Sequence, residues 1–193
     1  PLLPDSIKKE IKNTYQTGSK FISVAHPLSP NPLFSNDAAG LLLFNEDSYQ
    51  FALTEDIDFI PLVSNDPSRE LSKINSIQKS VSSSEEFEKI NSAVAARGAL
   101  MTGCLLIGLA QKMLDLSSLY ALDRTQFGKP IGSFQAIKHM LADVAVKIEF
   151  ARPTIFRAAH SLLENNPKSA LHCAHAKYMS CLLYTSPSPR DGF

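Results

Sequence analysis

The chain has 193 residues, 44% of them hydrophobic and 20% charged, and its 19 basic and 19 acidic side chains cancel. This balance excludes a disordered chain, and with no basic stripe along any segment it offers no footprint for nucleic acid. Three cysteines (Cys104, Cys173 and Cys181) have no metal-ligand spacing and cannot pair completely, which fits a reducing, cytoplasmic setting.

The first residue is Pro1, so the chain reads as starting inside a longer protein. Residues 4–16 form an amphipathic helix pattern, with Ile7, Ile11 and Tyr15 at four-residue spacing and Thr17-Gly18 ending it. A short β-like run follows over residues 21–25. Residues 26–36, with Pro27, Pro30 and Pro32, read as a loop. Strand candidates lie at 41–44, 49–53, 59–63 and 70–74, separated by good turn material such as Asn45-Glu46-Asp47 and Ser64-Asn65-Asp66-Pro67. Together they predict a small, mostly antiparallel β unit.

Ser82-Ser83-Ser84-Glu85-Glu86 is a helix-start signal, with acids suited to the first turn. From there to about Leu122 the pattern is helical. Its most apolar run, 99–110, is too short to cross a bilayer and reads as a buried core helix with Cys104 as a small core residue. Gly98, Gly103 and Gly108 each cost helix propensity, so close helix packing is the expected reason for some of them. In the next helix Phe134, Ile137, Leu141, Val144, Ile148, Ala151, Ile155, Ala158 and Leu162 recur in alternating three- and four-residue steps, the seam of a helix packed on neighbours. Pro153 should kink it or remove a hydrogen bond. Glu164-Asn165-Asn166-Pro167 ends it, and residues 168–180 begin another helix. The fold class is therefore α+β, a small antiparallel β unit followed by an antiparallel helical bundle.

The link between the two long helices, Leu122-Asp123-Arg124-Thr125-Gln126-Phe127-Gly128-Lys129-Pro130-Ile131-Gly132-Ser133-Phe134-Gln135, is laid out for an anionic, aromatic ligand. Arg124 supplies a guanidinium, which donates in pairs and keeps its charge. Phe127 supplies an aromatic ring, Gly128 a permissive backbone, and Gln135 opens a helix whose N-terminus favours anions. Lys129-Pro130 reads as turn chemistry, and Asp123 is placed to orient Arg124.

In its wording, R-x-x-F-G-x-x-I-x-x-F-Q, this stretch resembles the flavin-contacting hairpin of the acyl-CoA dehydrogenase family. Gly108-Leu109-Ala110-Gln111 before it and Leu141-Ala142-Asp143 after it support the likeness, which extends over roughly residues 37–180. The resemblance divides the chain into the end of an N-terminal helical domain (1–18), a shortened middle β domain (19–78) and an incomplete C-terminal bundle (79–180). Residues 181–193 back-translate into a sequencing-adapter-like stretch and are set apart from fold reasoning; a native Ser/Pro-rich tail is the alternative.

The resemblance implies an FAD-dependent oxidoreductase that converts an acyl-CoA thioester into the trans-2-enoyl-CoA, in fatty acid or steroid side-chain breakdown, and passes electrons to an electron-transfer flavoprotein. It implies that Arg124 binds the pyrophosphate of an FAD held mainly by a neighbouring subunit, in a dimer or tetramer. Gln126 and Phe127 would line the same cofactor, and Phe134 and Gln135 its adenosine side. It names no catalytic base. One family position for the glutamate falls on Gly98, and Glu149 reads as solvated helix surface, so the chain alone is expected to be inactive. The segment 26–37 is much shorter than in the family, which implies a second possibility: a non-catalytic partner subunit of a heteromeric dehydrogenase. His172 and His175 have a metal-compatible spacing but no third ligand, so no metal is expected. His139 and His160 are placed on helix surfaces, and Asp143 reads as a structural cap or bridge.

Overall fold

A computed structural model describes residues 18, 20–66, 68–84 and 86–184. The helix pattern at 4–16 and the last nine residues lie outside them. The chain divides into two compact units, Pro1–Asn91 and Ser92–Phe193.

In the first unit, β1 (Ile22–Ala25), β2 (Gly40–Phe44), β3 (Tyr49–Leu53), β4 (Ile57–Leu62), β5 (Leu71–Ile77) and β6 (Val81–Ser83) follow in chain order. The order β1-β2-β3-β6 makes one sheet, parallel only between β1 and β2, and β4-β5 make a separate antiparallel ribbon. β2 and β3 are covered on both faces in places, burying Leu41 and the neighbours Phe51 and Ala52. Ala25, Leu41, Ala52 and Ile57 form the core, with Phe59, Ile74 and Ile77 of the ribbon packed against it. The short segment after β1 is pinned at both ends. Ser23 Oγ donates to the Leu33 carbonyl at 2.9 Å, and the buried hydroxyls of Ser35 and Ser72 meet at 2.7 Å.

Val81–Ser83 corrects the expected helix start. These residues pair with Tyr49–Phe51 as an edge strand, and the first long helix, α1 (Phe87–Asp123), begins only after Glu86 has turned through φ +50°. Its acidic first turn is retained in Glu88, and Glu86 pairs with Lys89 at 3.0 Å.

In the second unit α1 is followed by α2 (Gln135–Leu163) and α3 (Ser169–Tyr184). Ala96 and Leu100 meet Ala158, Cys173 and Ala176 in one cluster, while Ile107 and Ala110 meet Ile148, Ala151 and Leu183 in another. As α1 and α3 ascend, α2 descends, so consecutive helices are antiparallel. All nine seam positions expected on α2 are buried or half-buried. Pro153 has no N–H to give the preceding turn, yet α2 runs through it as one helix. The helix closes as the sequence suggests. Asn165 takes φ +50°, its N–H reaching the Leu162 carbonyl and that of Asn166 reaching Ser161, which satisfies two end carbonyls.

Along α1 only one of the three glycines serves packing. A Cβ on Gly103 would lie 2.9 Å from Ile155 Cδ1 and 3.5 Å from Lys177 Cα, whereas Gly98 and Gly108 face open space. Cys104 is likewise exposed and not a core residue, because it lies beside Gly103 on the side turned from α2 and α3. α1 is apolar all round, and Met101, Leu105, Leu109, Leu116 and Leu119 are exposed on its outer face. The 37-residue helix is, by length and composition, long and apolar enough to cross a membrane. A core helix passes the same test of length and composition. The inner face of α1 packs on α2 and α3 as a core helix does.

His172, expected to be a weak metal candidate, is engaged otherwise. A guanidinium can only donate, so Arg157 Nη2, 3.0 Å away, makes Nε2 the acceptor and leaves Nδ1–H to donate to Ser161 Oγ at 2.8 Å. Among the described residues no group of three potential ligands gathers around a metal position. Partial burial, then the charges of Arg157, Lys168 and His175, hold the His172 pKa below the ordinary 6.5.

Two predictions follow from this packing. Gly108→Ala should stabilise the chain by up to about 1 kcal/mol through helix propensity, while Gly103→Leu should destabilise it by about 1–3 kcal/mol through overpacking; urea titration of both variants checks the contrast. For His172 the unfolded chain binds the proton more readily, so its contribution is full above about pH 6.5 and is lost as the pH falls through the lower folded value. Unfolding free energies at about pH 7.5 and pH 5.5 should therefore differ less in His172→Gln than in the parent chain.

Candidate cofactor-binding hairpin

α1 ends where Arg124 donates its N–H to the Tyr120 carbonyl at 2.8 Å. The chain then forms β7 (Thr125–Gln126) and β8 (Lys129–Pro130), pairing Thr125 with Pro130 and Gln126 with Lys129. Two residues remain for the tip. Phe127 has φ +53° and Gly128 φ +78°, the positive pair of a type I′ turn, whose twist matches that of two paired strands. Glycine takes such a conformation freely, whereas a phenylalanine is strained in it.

The base of the hairpin is closed by Ile131 N–H donating to the Arg124 carbonyl at 2.8 Å. A 3-10 turn, Ile131–Ser133, follows. A Cβ at Gly132 would stand 2.9 Å from the Ala121 carbonyl oxygen, so this turn lies directly against the end of α1. Phe134 is the N-cap of α2, with φ −77° and ψ 132°, and offers no side-chain bond to the first-turn amides. Those N–H groups have no partner within the helix and carry its positive end.

Of the five residues expected at the site, the structure brings the rings of Phe127 and Phe134 together, centroids 6.2 Å apart and planes at 90°. Gln126 and Gln135 are exposed on β7 and at the first position of α2. Arg124 is exposed at the hairpin base, and among the described residues its guanidinium makes no ion pair or side-chain hydrogen bond. Asp123 therefore does not orient it. The arrangement suits a diphosphate joined to an aromatic system: a free, permanently charged cation, one exposed and one half-buried ring, two amides and a helix N-terminus. Beside the hairpin, Leu116, Tyr120, Ile131, Ile137 and Met140 help line an open apolar groove of about 380 Å³.

Sequence reasoning missed Lys129, whose ammonium stands 4.5 Å from the centre of the Phe134 ring. The two-residue Phe-Gly tip was the available signal, since it sets Lys129 opposite Gln126. Elsewhere Glu149 pairs with Arg152 at 3.1 Å, and Arg152 also reaches Gln111 of α1 at 3.1 Å. Glu149 thus belongs to an inter-helix polar link. His139, His160 and Asp143 are exposed on α2. Gly98 is exposed on α1.

Residues 88–186 match the family described as acyl-CoA dehydrogenase, C-terminal domain. The chain belongs to the acyl-CoA dehydrogenase family. It is 37% identical over 112 residues to acyl-CoA dehydrogenase IpdE2 of Mycobacterium tuberculosis, an alignment covering 57% of this chain and 33% of that protein. Its fold is similar to butyryl-CoA dehydrogenase from Megasphaera elsdenii (TM-score 0.67, 19% identity, 88% of this chain and 51% of that one). It is also similar to PigA with FAD and proline (TM-score 0.70, 15% identity, 94% and 61%). The chain thus spans about a third of the curated relative's length. Membership makes it part of an oxidoreductase, flavoprotein family.

The strain at Phe127 yields a prediction. Asparagine tolerates the left-handed region that costs a bulky L-residue roughly 1–2 kcal/mol, and the Phe127 ring is 92% exposed. Phe127→Asn should therefore raise the unfolding free energy by up to about 1 kcal/mol, measured by urea titration. A fall would show that the ring contributes more to folding than its exposure allows.

Proposed function

We propose that this chain is the bundle-bearing part of an FAD-dependent acyl-CoA dehydrogenase and contributes one half of an FAD site shared between subunits. The observation that carries the reading is the free Arg124 guanidinium at the base of a hairpin that presents Phe127 and Phe134. Arg124 would hold the pyrophosphate, Gln126 and Phe127 would line the cofactor, and Phe134 and Gln135 would meet its adenosine side. The bound flavin supplies hydride acceptance for α,β-dehydrogenation of an acyl-CoA thioester to the trans-2-enoyl-CoA. This chain's own residues bind and orient: a charged fork on the phosphates, rings beside the aromatic portion, and a helix N-terminus that favours the anion. Among the described residues this reading names no acceptor for the α-proton: Gly98 stands at one position expected of a base, and Glu149 pairs with Arg152 on the helix surface.

The partners in this reading are the acyl-CoA substrate, a neighbouring dehydrogenase subunit in a dimer or tetramer, and an electron-transfer flavoprotein, in the cytoplasm. The exposed apolar face of α1 supports assembly with further protein surface. A second reading, a non-catalytic subunit of a heteromeric dehydrogenase, is favoured by the short segment after β1, which is closed onto β5 by the Ser35–Ser72 contact.

Arg124→Ala tests the common element of both readings. Loss of a bidentate, charge-assisted contact should weaken FAD retention roughly ten- to a hundredfold and lower oligomer stability with it, followed by flavin absorbance and by sedimentation. Unchanged flavin content in the variant would sink the role given to Arg124.

A further inference from the structure

Lys129 lies outside the residues assigned to the cofactor, but it stands at the start of a chain of contacts that ends at the hairpin tip. Its ammonium is 4.5 Å from the centre of the Phe134 ring, the geometry in which a cation is drawn to the ring's negative face. Phe134 has a fixed backbone. Its N–H donates to Ile131 at 3.1 Å, and its carbonyl accepts from Lys138 at 3.2 Å in the first turn of α2. From that anchored position it meets Phe127 at 90°, a preferred arrangement for two aromatic quadrupoles.

Phe127 needs such a contact. Its backbone is left-handed at φ +53°, and strain of this kind persists where surrounding structure over-determines it. Burial does not supply the restraint, because the ring is 92% exposed. The β7–β8 register adds a geometric reason for Lys129 in particular. It is paired with Gln126 across the two-residue tip, so its stem starts from a strand whose position is fixed by the turn.

We propose that Lys129 is a positioning residue: by covering Phe134 it fixes that ring, and through Phe134 it holds the strained Phe127 ring ready for the ligand. The aromatic pair is thereby set in the ligand-free chain. The consequence for cofactor affinity rests on the flavin reading of the hairpin, whereas the ordering of the rings does not.

The test uses the full 193-residue chain and four variants: Lys129→Met, Lys129→Arg, Phe134→Leu, and Lys129→Met combined with Phe134→Leu. In flavin-free protein labelled at phenylalanine, NMR should show mutual ring-current shifts of Phe127 and Phe134. Lys129→Met should move the Phe127 signals toward free-phenylalanine values, and Lys129→Arg should keep them, since guanidinium also stacks on rings. FAD affinity, followed by flavin fluorescence, should fall about two- to fivefold in Lys129→Met and recover in Lys129→Arg. In the Phe134→Leu background, Lys129→Met should change the affinity no further. Equal losses in both backgrounds would mean that Lys129 acts as a direct charge on the ligand and would overturn the proposal, as would unchanged Phe127 signals in Lys129→Met. If no version binds FAD, the half-site needs the neighbouring subunit that the flavin reading already calls for, and the ring-current result decides the positioning role.

Discussion

The structure of the second unit depends on a seam of small side chains. Ala96, Gly103 and Ala110 on α1 face Ala151 and Ala158 on α2 and Ala176 on α3. Short side chains allow close approach of the helices, and dispersion then acts over many atoms at once. Larger residues, Leu100, Ile107, Ile148 and Leu183, fill the spaces between them. At Gly103 the approach leaves room for hydrogen and little else. Antiparallel packing of α1 on α2 through their side chains has a direct consequence for the hairpin. The chain must reverse in a few residues, and the 3-10 turn at Gly132 must pass against the Ala121 carbonyl.

That reversal places the candidate chemistry. A two-residue turn with two positive φ angles fits the twist of β7 and β8, and it projects Phe127 into solvent at its tip. A globular core would hide such a ring. Here the ring is displayed, at a backbone cost, next to a guanidinium that no neighbour neutralises. Strain and exposure together are features that binding surfaces retain and folding alone does not favour. The polar links elsewhere, Glu149–Arg152–Gln111 between α1 and α2 and Arg157–His172–Ser161 between α2 and α3, have every charged member engaged within the bundle. Arg124 differs from Arg152 and Arg157 in that respect.

Much of this was legible from residue order. The α2 seam shows in its three- and four-residue steps because one face of that helix is apolar and the other polar. The end of α2 shows in Asn165-Asn166-Pro167, since asparagine tolerates the left-handed residue that closes the helix. α1 was harder. A helix apolar all round does not announce which side meets its neighbours, so Cys104 reads as a core residue, and residue order does not say which of the three glycines serves packing. Ser82-Ser83 reads as a helix start because serines followed by acids give that signal, while the edge of β3 claims the same two residues for the sheet. The histidine spacing at 172 and 175 was local information, and Arg157 from another helix decided its use.

The sequence by itself determined the order of elements, the helical periods, a permissive glycine at position 128, and the presence of Arg124, Gln126, Phe127, Phe134 and Gln135 in one short link. Those are consequences of neighbouring residues along the chain. Tertiary structure alone decided which face of α1 is buried, which glycine is sterically required, that Asp123 leaves Arg124 free, and that Lys129 covers Phe134. Each of these depends on distances between segments that periodicity does not encode, because a period fixes which residues share a face and not what that face meets.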